Sequence, residues 1–492
     1  MNLGKIAKSS YSKAVQSLIH RIYDQTEVKD SLYEQALLYF IDAEKQQEQQ
    51  TAAEQEAYLF RQRLQQVSGA DQAKIEQRLQ QAEKSLNSMN QGLEELRLAR
   101  LTQLKELCYT ILELAQGDDF DDTNLLSAKL LGTIQLLSPT EGSNIARSNQ
   151  KSKHLYKAVL ALRLLDRLLL DGLITNSYVL KRYQEDSSQD IEVTGGRTYQ
   201  PFRDDVQIPL IMAALVQDIG QQHPEAQRIL CGEDGSLNEF RVLDNPERVA
   251  MLQTNYKESL KYLTQALGRD RYVGNSKDER AWFERNEQEK LGFMVTLLKN
   301  SVKPEQGIGN LLKIPQIYTS VVLSTKQNYS YETLPKVGLV IDKAVEKGMC
   351  SKEAADALMQ ITGIFPQGYG VTYIPKDSDR QDLDRYEYAI VTSLYPPHPN
   401  VPVCRMVTRN LSYQISVMGC TVRVENNLFF PQARKKLEKI KPERLKEILM
   451  KLVSNFEERK DMDLIPKCWH PDEYFAYARN QNLWNKAINQ NI

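Results

Sequence analysis

The chain has 492 residues, a formal charge of −1 and an apolar share of 41 %. That length suits two or three domains with sizeable cores, and the charge balance gives no general pull toward nucleic acid or anionic lipid. The most apolar run, residues 159–174, carries Arg163, Asp166, Arg167 and Asp171, which excludes it as a membrane span. Six scattered cysteines without a C-x-x-C pair predict reduced thiols in a cytoplasmic protein. The first fifteen residues hold no apolar core of a secretory signal, which points the same way. Five histidines, none at i, i+4 spacing, give no local metal-binding pair.

Residues 28–115 predict a helical hairpin. Ala53, Ala57, Phe60, Leu64 and Val67 follow one another in alternating four- and three-residue steps. The pattern breaks at Ser68-Gly69-Ala70-Asp71 and resumes with Ile75, Leu79, Ala82, Leu86, Met89, Leu93 and Leu96. A period of about 3.5 residues puts these groups on one stripe of each helix, and the short break lets the helices fold back as an antiparallel coiled coil. The flanks are Gln, Glu, Lys and Arg, so one narrow seam is all there is to bury. Residues 44–50 are wholly polar, which predicts that the first helix projects into solvent there. Two bundle helices packed on the body of the protein are the alternative.

Residues 101–114 continue as a broader apolar helix. Asp118, Asp119, Asp121 and Asp122 form an acidic turn without the ligand register of a calcium loop. Helices are predicted at 124–136 and 155–183, with polar linkers at 142–153 and 184–200. Gly195-Gly196-Arg197, in the second linker, lacks the spacing of a phosphate loop.

Residues 205–370 read as mainly helical, with a polar, mobile insert at 268–289. Beyond 385 the period changes. Residues 386–393, 401–407 and 412–424 are rich in β-branched and aromatic side chains and predict a small antiparallel sheet. Tyr395-Pro396-Pro397-His398-Pro399 joins its first two strands. Residues 431–459 return to amphipathic helix. Its basic run is interleaved with Glu438, Glu443 and Glu447, which reads as a solvated face and not as a nucleic-acid surface. Trp469 and Trp484 predict a tail whose aromatics dock on the body. No Ser-His-Asp or Cys-His pairing is indicated. The fold class is therefore mainly α, with an N-terminal coiled-coil hairpin and a small antiparallel β element plus helical tail. The expected regions are 1–135, 150–380 and 381–492.

One series of motifs runs through the middle of the chain. An apolar helix at 208–216 ends in Gln217-Asp218-Ile219-Gly220-Gln221. His223-Pro224, then 231–237, then Glu247-Arg248-Val249-Ala250-Met251-Leu252 and Gln253-Thr254-Asn255-Tyr256 follow. Next come Glu305-Gln306-Gly307-Ile308-Gly309, then 313–320 with Gln316, and Ile361-Thr362-Gly363-Ile364-Phe365-Pro366-Gln367-Gly368. Tyr388-Ala389-Ile390-Val391 and residues 399–403 close the series as strands. In this order the segments resemble the HD-GYP subfamily of the HD superfamily of metal-dependent phosphohydrolases, over residues 200–405.

The resemblance implies an HD-like helical domain whose metal ligands are largely replaced. Gln217 stands where the family has the His of His-Asp, Gln221 where it has Lys, Asn255 for a second His and Gln316 for an Asp. The His-His-Glu and Gly-Tyr-Pro stretches are missing. Asp218 and His223, with Glu225 beside them, are the vestigial metal candidates; Gln217, Asp218, Asn255 and Gln316 outline a vestigial ligand pocket. A glutamine amide is a poor ligand where a neutral imidazole is a good one, and a two-metal centre needs several ligands. The resemblance thus implies a catalytically inactive protein without a cofactor. It would act in signalling or as a scaffold, through a protein partner held by the hairpin or the C-terminal tail; the seam is equally a homodimer surface. Two alternatives stay open. One is a cyclic di-GMP receptor without hydrolysis, with Arg228, Arg241, Arg248 and Lys313 available to phosphate. The other is a metal-dependent phosphodiesterase with substituted ligands, holding Mn, Fe or Ni.

Overall fold

The structure is a computed structural model, and it describes residues 8–185, 189–193, 197–304, 307–415, 418–452 and 464–485. They form two compact units, each discontinuous in sequence. The sheet unit joins Met1–Ile22, Tyr109–Gln184 and Lys299–Ile492; the hairpin unit joins Tyr23–Cys108 and Glu185–Leu298. The boundaries expected at 135–150 and 381 fall inside the sheet unit, and the region 150–380 is divided between the two. The fold is mainly α, with a small antiparallel sheet and a helical tail. No helix among the described residues is long and apolar enough to cross a membrane.

In the hairpin unit, Ser31 opens the Leu32–Leu64 helix with a capping box. Its hydroxyl accepts from the Glu34 N–H, and the Glu34 carboxylate accepts from the Ser31 N–H. The second helix, Ala70–Ala115, follows Gly69, whose φ of +85° suits glycine. Arg61 pairs with Glu83 at 2.8 Å and Gln50 Nε2 donates to Asn90 Oδ1 at 3.0 Å, so the helices run antiparallel. Beyond Phe40, Ala57 is the one described residue of the first helix that is fully buried, while Ala53, Phe60 and Leu64 are half-buried. Ile75, Leu79, Ala82, Leu86, Met89 and Leu93 line the other side, also half-buried. Leu96 does not: it is 52 % exposed, and Arg97 takes the inward position. A helix with 3.6 residues per turn drifts off a strict heptad, so the stripe slips by one residue after several turns.

The base of the hairpin is aromatic. Tyr39 and Phe40 pack on Tyr262, and the Arg100 guanidinium lies 5.0 Å over the Tyr39 ring. The linker expected at 184–200 instead contains two antiparallel strands, Gln189–Val193 and Arg197–Tyr199; Gly195 and Gly196 lie outside the described residues. The insert expected at 268–289 is helical from Lys277, as the start of Lys277–Asn300.

The sheet unit is built around Ile145–Leu170, a helix buried on every face from Leu155 to Leu165. It packs on Asn310–Val322, Lys352–Thr362 and Ser10–Ile22. This helix takes up most of the linker expected at 142–153. Asn149 and Ser152 are buried in it, and Asn149 Nδ2 donates to the Ser324 carbonyl at 2.8 Å. Tertiary partners for those polar groups outweigh the linker-like composition. Gly172, at φ +66°, separates it from Ser177–Gln184, so the helix expected at 155–183 is two. In the acidic turn, Asp119 caps Phe120–Leu137 through the Asp122 N–H.

The sheet has the strand order Gly370–Tyr373, Glu387–Val391, Val403–Met406, Gly419–Thr421, all antiparallel. Its first strand was not foreseen. All four of its residues are buried, so it lacks the alternation that marks a half-exposed strand. Residues 395–399 accordingly join the second and third strands. The segment 412–424 is not one strand: Ser412–Tyr413 turns back on Thr408–Arg409 through Asn410 and Leu411, both at positive φ, before Gly419–Thr421 begins. In the tail, Pro431–Glu438 and Pro442–Leu452 replace the single helix expected at 431–459, whose last residues lie outside the described ones. Both tryptophans dock as expected. Trp469 Nε1 donates to the Ala389 carbonyl at 2.9 Å and Trp484 Nε1 to the Thr392 carbonyl at 2.8 Å.

Candidate functional site

Pro209 at its first turn and an unbroken apolar sequence make Ile208–Val216 a helix, buried along its whole length. It continues directly from Arg203–Gln207, a turn with wider π-type hydrogen bonding. That turn carries Asp204 and Asp205 into the interior. Asp205 is met by the Tyr199 hydroxyl, by Asn286 Nδ2 at 3.0 Å and by Lys290 Nζ at 3.7 Å. Asp204 accepts from the Gln200 N–H at 2.6 Å and from Arg203 Nε at 3.0 Å. Lys290 also pairs with buried Glu287. Burial would raise the Glu287 carboxyl, but Lys290 and Lys105 outweigh it and hold it down to about 2. The same geometry raises the Lys290 ammonium: burial opposes the charge, and Glu287 and Asp205 more than compensate. Each charge is therefore matched inside the cluster, which anchors the turn that starts the apolar helix.

The helix ends at Gln217 and Asp218, each 7 % exposed. What converges there is main chain more than side chain. The Gln217 carbonyl accepts from Asn255 Nδ2 and from Ser259 Oγ, both at 3.2 Å. Ser259 Oγ also accepts from the Gly220 N–H at 2.9 Å. The Gln217 side-chain oxygen is buried without a hydrogen-bond partner among the described residues. Gly220 lies flat on the Asn245–Lys261 helix, so close that a β-carbon there would stand 2.3 Å from the Asn255 carbonyl oxygen. Asp218 sits beside Tyr33, whose phenol is pushed up by burial first and by the Asp218 charge second. The Tyr33 hydroxyl donates to the Leu215 carbonyl at 2.9 Å.

His223 is occupied by other work. It is the cap of Pro224–Cys231, its Nδ1 accepting from the Glu225 N–H at 3.2 Å. Its ring meets Phe40 edge-on, with centroids 5.3 Å apart, and its Nε2 lies 3.9 Å from Glu258. Glu258, buried, also takes Lys261 at 3.1 Å and Lys257 at 3.5 Å.

Of the residues singled out from the sequence, the structure thus brings Gln217, Asp218 and Asn255 into one joint and places His223 at the neighbouring helix cap. Gln316 lies on Asn310–Val322, in the sheet unit, as does Lys313. Glu305 and Gln306 lie outside the described residues. Among the described residues, no group of three or more His, Cys, Asp and Glu side chains is arranged to hold a metal ion. The sequence reading missed the Asp204–Asp205–Glu287–Lys290 cluster and the part played by Ser259. The available signal was the Asp-Asp pair directly ahead of a helix with no polar face, which has to enter the interior with it. No protein-family model matches this chain, nor does any curated protein or solved structure.

Proposed function

We propose that the chain is a non-catalytic, degenerate HD-GYP-like protein that works as a signalling or scaffold protein, with the Leu32–Leu64 and Ala70–Ala115 hairpin as its docking element. The observation that carries this reading is the exposure of the hairpin. Past Phe40 its first helix buries only Ala57 among described residues, while Ile41, Tyr58 and Leu59 stand more than half exposed. A helix pair with so little to bury in its own seam is a surface suited to another helix or to a second copy. The joint at Gln217–Gly220 supports the non-catalytic half. Peptide groups and two short polar side chains occupy the place where metal ligands would converge.

The test replaces residues 48–90 by a short flexible linker and compares partner capture by the full chain and the shortened one. The proposal expects capture to be lost while circular dichroism and the unfolding midpoint of the remainder persist. Equal capture by both proteins overturns the role of the hairpin. Metal content, measured by mass spectrometry after expression with added Mn and Fe, tests the other half: one or two equivalents per chain overturns the non-catalytic reading.

A further inference from the structure

After Gly419–Thr421 the chain crosses back and lies along the free edge of Gly370–Tyr373: the Ile374 N–H donates to the Asn426 carbonyl at 2.9 Å and the Leu428 N–H to the Thr372 carbonyl at 2.9 Å. Beside this return lies a cavity of about 540 Å³. That volume lies in the range of small-molecule pockets. Tyr373, Ile374 and Val422 form its floor, all buried. Lys376, Arg380 and Arg423 stand on its rim, and no carboxylate among the described residues lines it.

That imbalance sets it apart from two other cavities. One, beside Arg97, matches its arginines with Glu94, Asp270, Glu284 and Glu287. The other, beside Asn310, has Glu353 and no cation. At the cavity beside Arg380 the compensation is slight. Lys376 is 3.9 Å from Asp382 and Arg423 is 3.9 Å from Glu425, both exposed pairs at the limit of ion pairing. The Arg380 guanidinium has no ion-pair or hydrogen-bond partner among the described residues. Its backbone, however, is pinned. Asp377 Oδ1 accepts from the Asp379 and Gln381 N–H groups, and the Arg380 N–H donates to the Asp377 carbonyl. Arg380 is held there at φ +62°, a left-handed conformation that costs energy for a residue with a β-carbon and that collects at ligand clamps.

We propose that this cavity binds a phosphate monoester with an apolar or planar body, the phosphate on Arg380 and Arg423 and the body over Tyr373 and Val422. Arginine forks match phosphate oxygens in pairs, and an aromatic floor stacks a planar group. The proposal is independent of the role assigned to the hairpin.

The test is calorimetric titration of the full chain at low salt with phenyl phosphate, inorganic phosphate and phenol. Phenyl phosphate is expected to bind with a Kd on the order of 1 mM, as suits so small a probe. Inorganic phosphate is expected about tenfold weaker and phenol weaker still. Arg380→Gly, which frees the left-handed residue of its side chain, should keep or raise the thermal midpoint and weaken phenyl phosphate about tenfold; Arg423→Gln should weaken it similarly. The proposal is overturned if phenyl phosphate gives no binding, if inorganic phosphate binds as tightly, or if both variants bind it like the natural chain.

Discussion

Gly220→Ala tests whether the Gln217–Gly220 segment is a packing joint. Gly220 is not in the left-handed region, so backbone strain does not enter. The cost is steric. The new β-carbon would meet the Asn255 carbonyl oxygen at 2.3 Å and the Asn255 carbonyl carbon and Cα at 2.9 Å, where ordinary contact begins at 3.4 Å. Those are backbone atoms of the Asn245–Lys261 helix and cannot swing away as a side chain would, so the turn and the helix must part by about 1 Å. Overpacking of this kind costs about 1–3 kcal/mol. The separation also breaks the 2.9 Å bond from the Gly220 N–H to Ser259 Oγ, for about 1 kcal/mol more. The expected loss is about 3 kcal/mol in urea unfolding, read as a lower midpoint at unchanged slope. Gly292→Ala is the paired control. Gly292 lies within Lys277–Asn300 with open space at its β position, so alanine there should stabilise by about 0.5–1 kcal/mol. If Gly220→Ala unfolds within about 0.5 kcal/mol of the natural chain, the joint is looser than described and the support it gives the non-catalytic proposal fails with it.

Two further perturbations probe the hairpin unit. The Glu287 carboxyl is held down to about 2 from an ordinary 4.5. Its contribution is full above 4.5 and is lost as pH falls toward 2, up to about 3 kcal/mol. Glu287→Gln should remove that acid dependence and, by taking from buried Lys290 its nearer carboxylate, destabilise at neutral pH by about 3 kcal/mol; identical acid slopes for variant and natural chain would refute the account. In the hairpin seam, the Gln50–Asn90 layer is half-buried and polar. Replacing both residues by Leu should stabilise the coiled coil by about 1–2 kcal/mol, measured by thermal unfolding, and no gain would mean that the seam is too open there to bury them.

How much of this was legible in the sequence depends on where each segment finds its partners. The hairpin was legible because its own period declares it, and it erred at Leu96 because a heptad written on paper does not drift and a helix does. The docked tryptophans were legible because large amphipathic rings have few other places to go. The strand Gly370–Tyr373 was not, since burial on both faces erases alternation. Nor was the start of Ile145–Leu170, whose polar residues look like a linker until Asn149 reaches the Ser324 carbonyl. At the candidate site, the sequence marked the end of the apolar helix correctly. It did not reveal that Asn255 and Ser259 would hold the Gln217 carbonyl, nor that Asp205 would meet Asn286 and Lys290, because those pairings join residues tens of positions apart. Long-range polar pairing leaves no local pattern to read.

The two halves of the functional proposal rest on one contrast in how polar groups are satisfied. A metal or phosphoryl site needs side-chain lone pairs converging on open space. Around Gln217 the converging groups are a carbonyl, an N–H and the side chains of Asn255 and Ser259, bonded to one another. His223 and Glu258 are likewise engaged, with a helix start and with two lysines. Groups so engaged hold elements together and have little left for a ligand. Along the hairpin the balance is reversed. From Ile41 to Leu64 the side chains mostly face solvent, few are fixed by a partner, and the apolar groups Tyr58 and Leu59 stay uncovered. Free energy remains available for association on that surface, which is why the proposed role is placed there and not at Gln217 and Asp218.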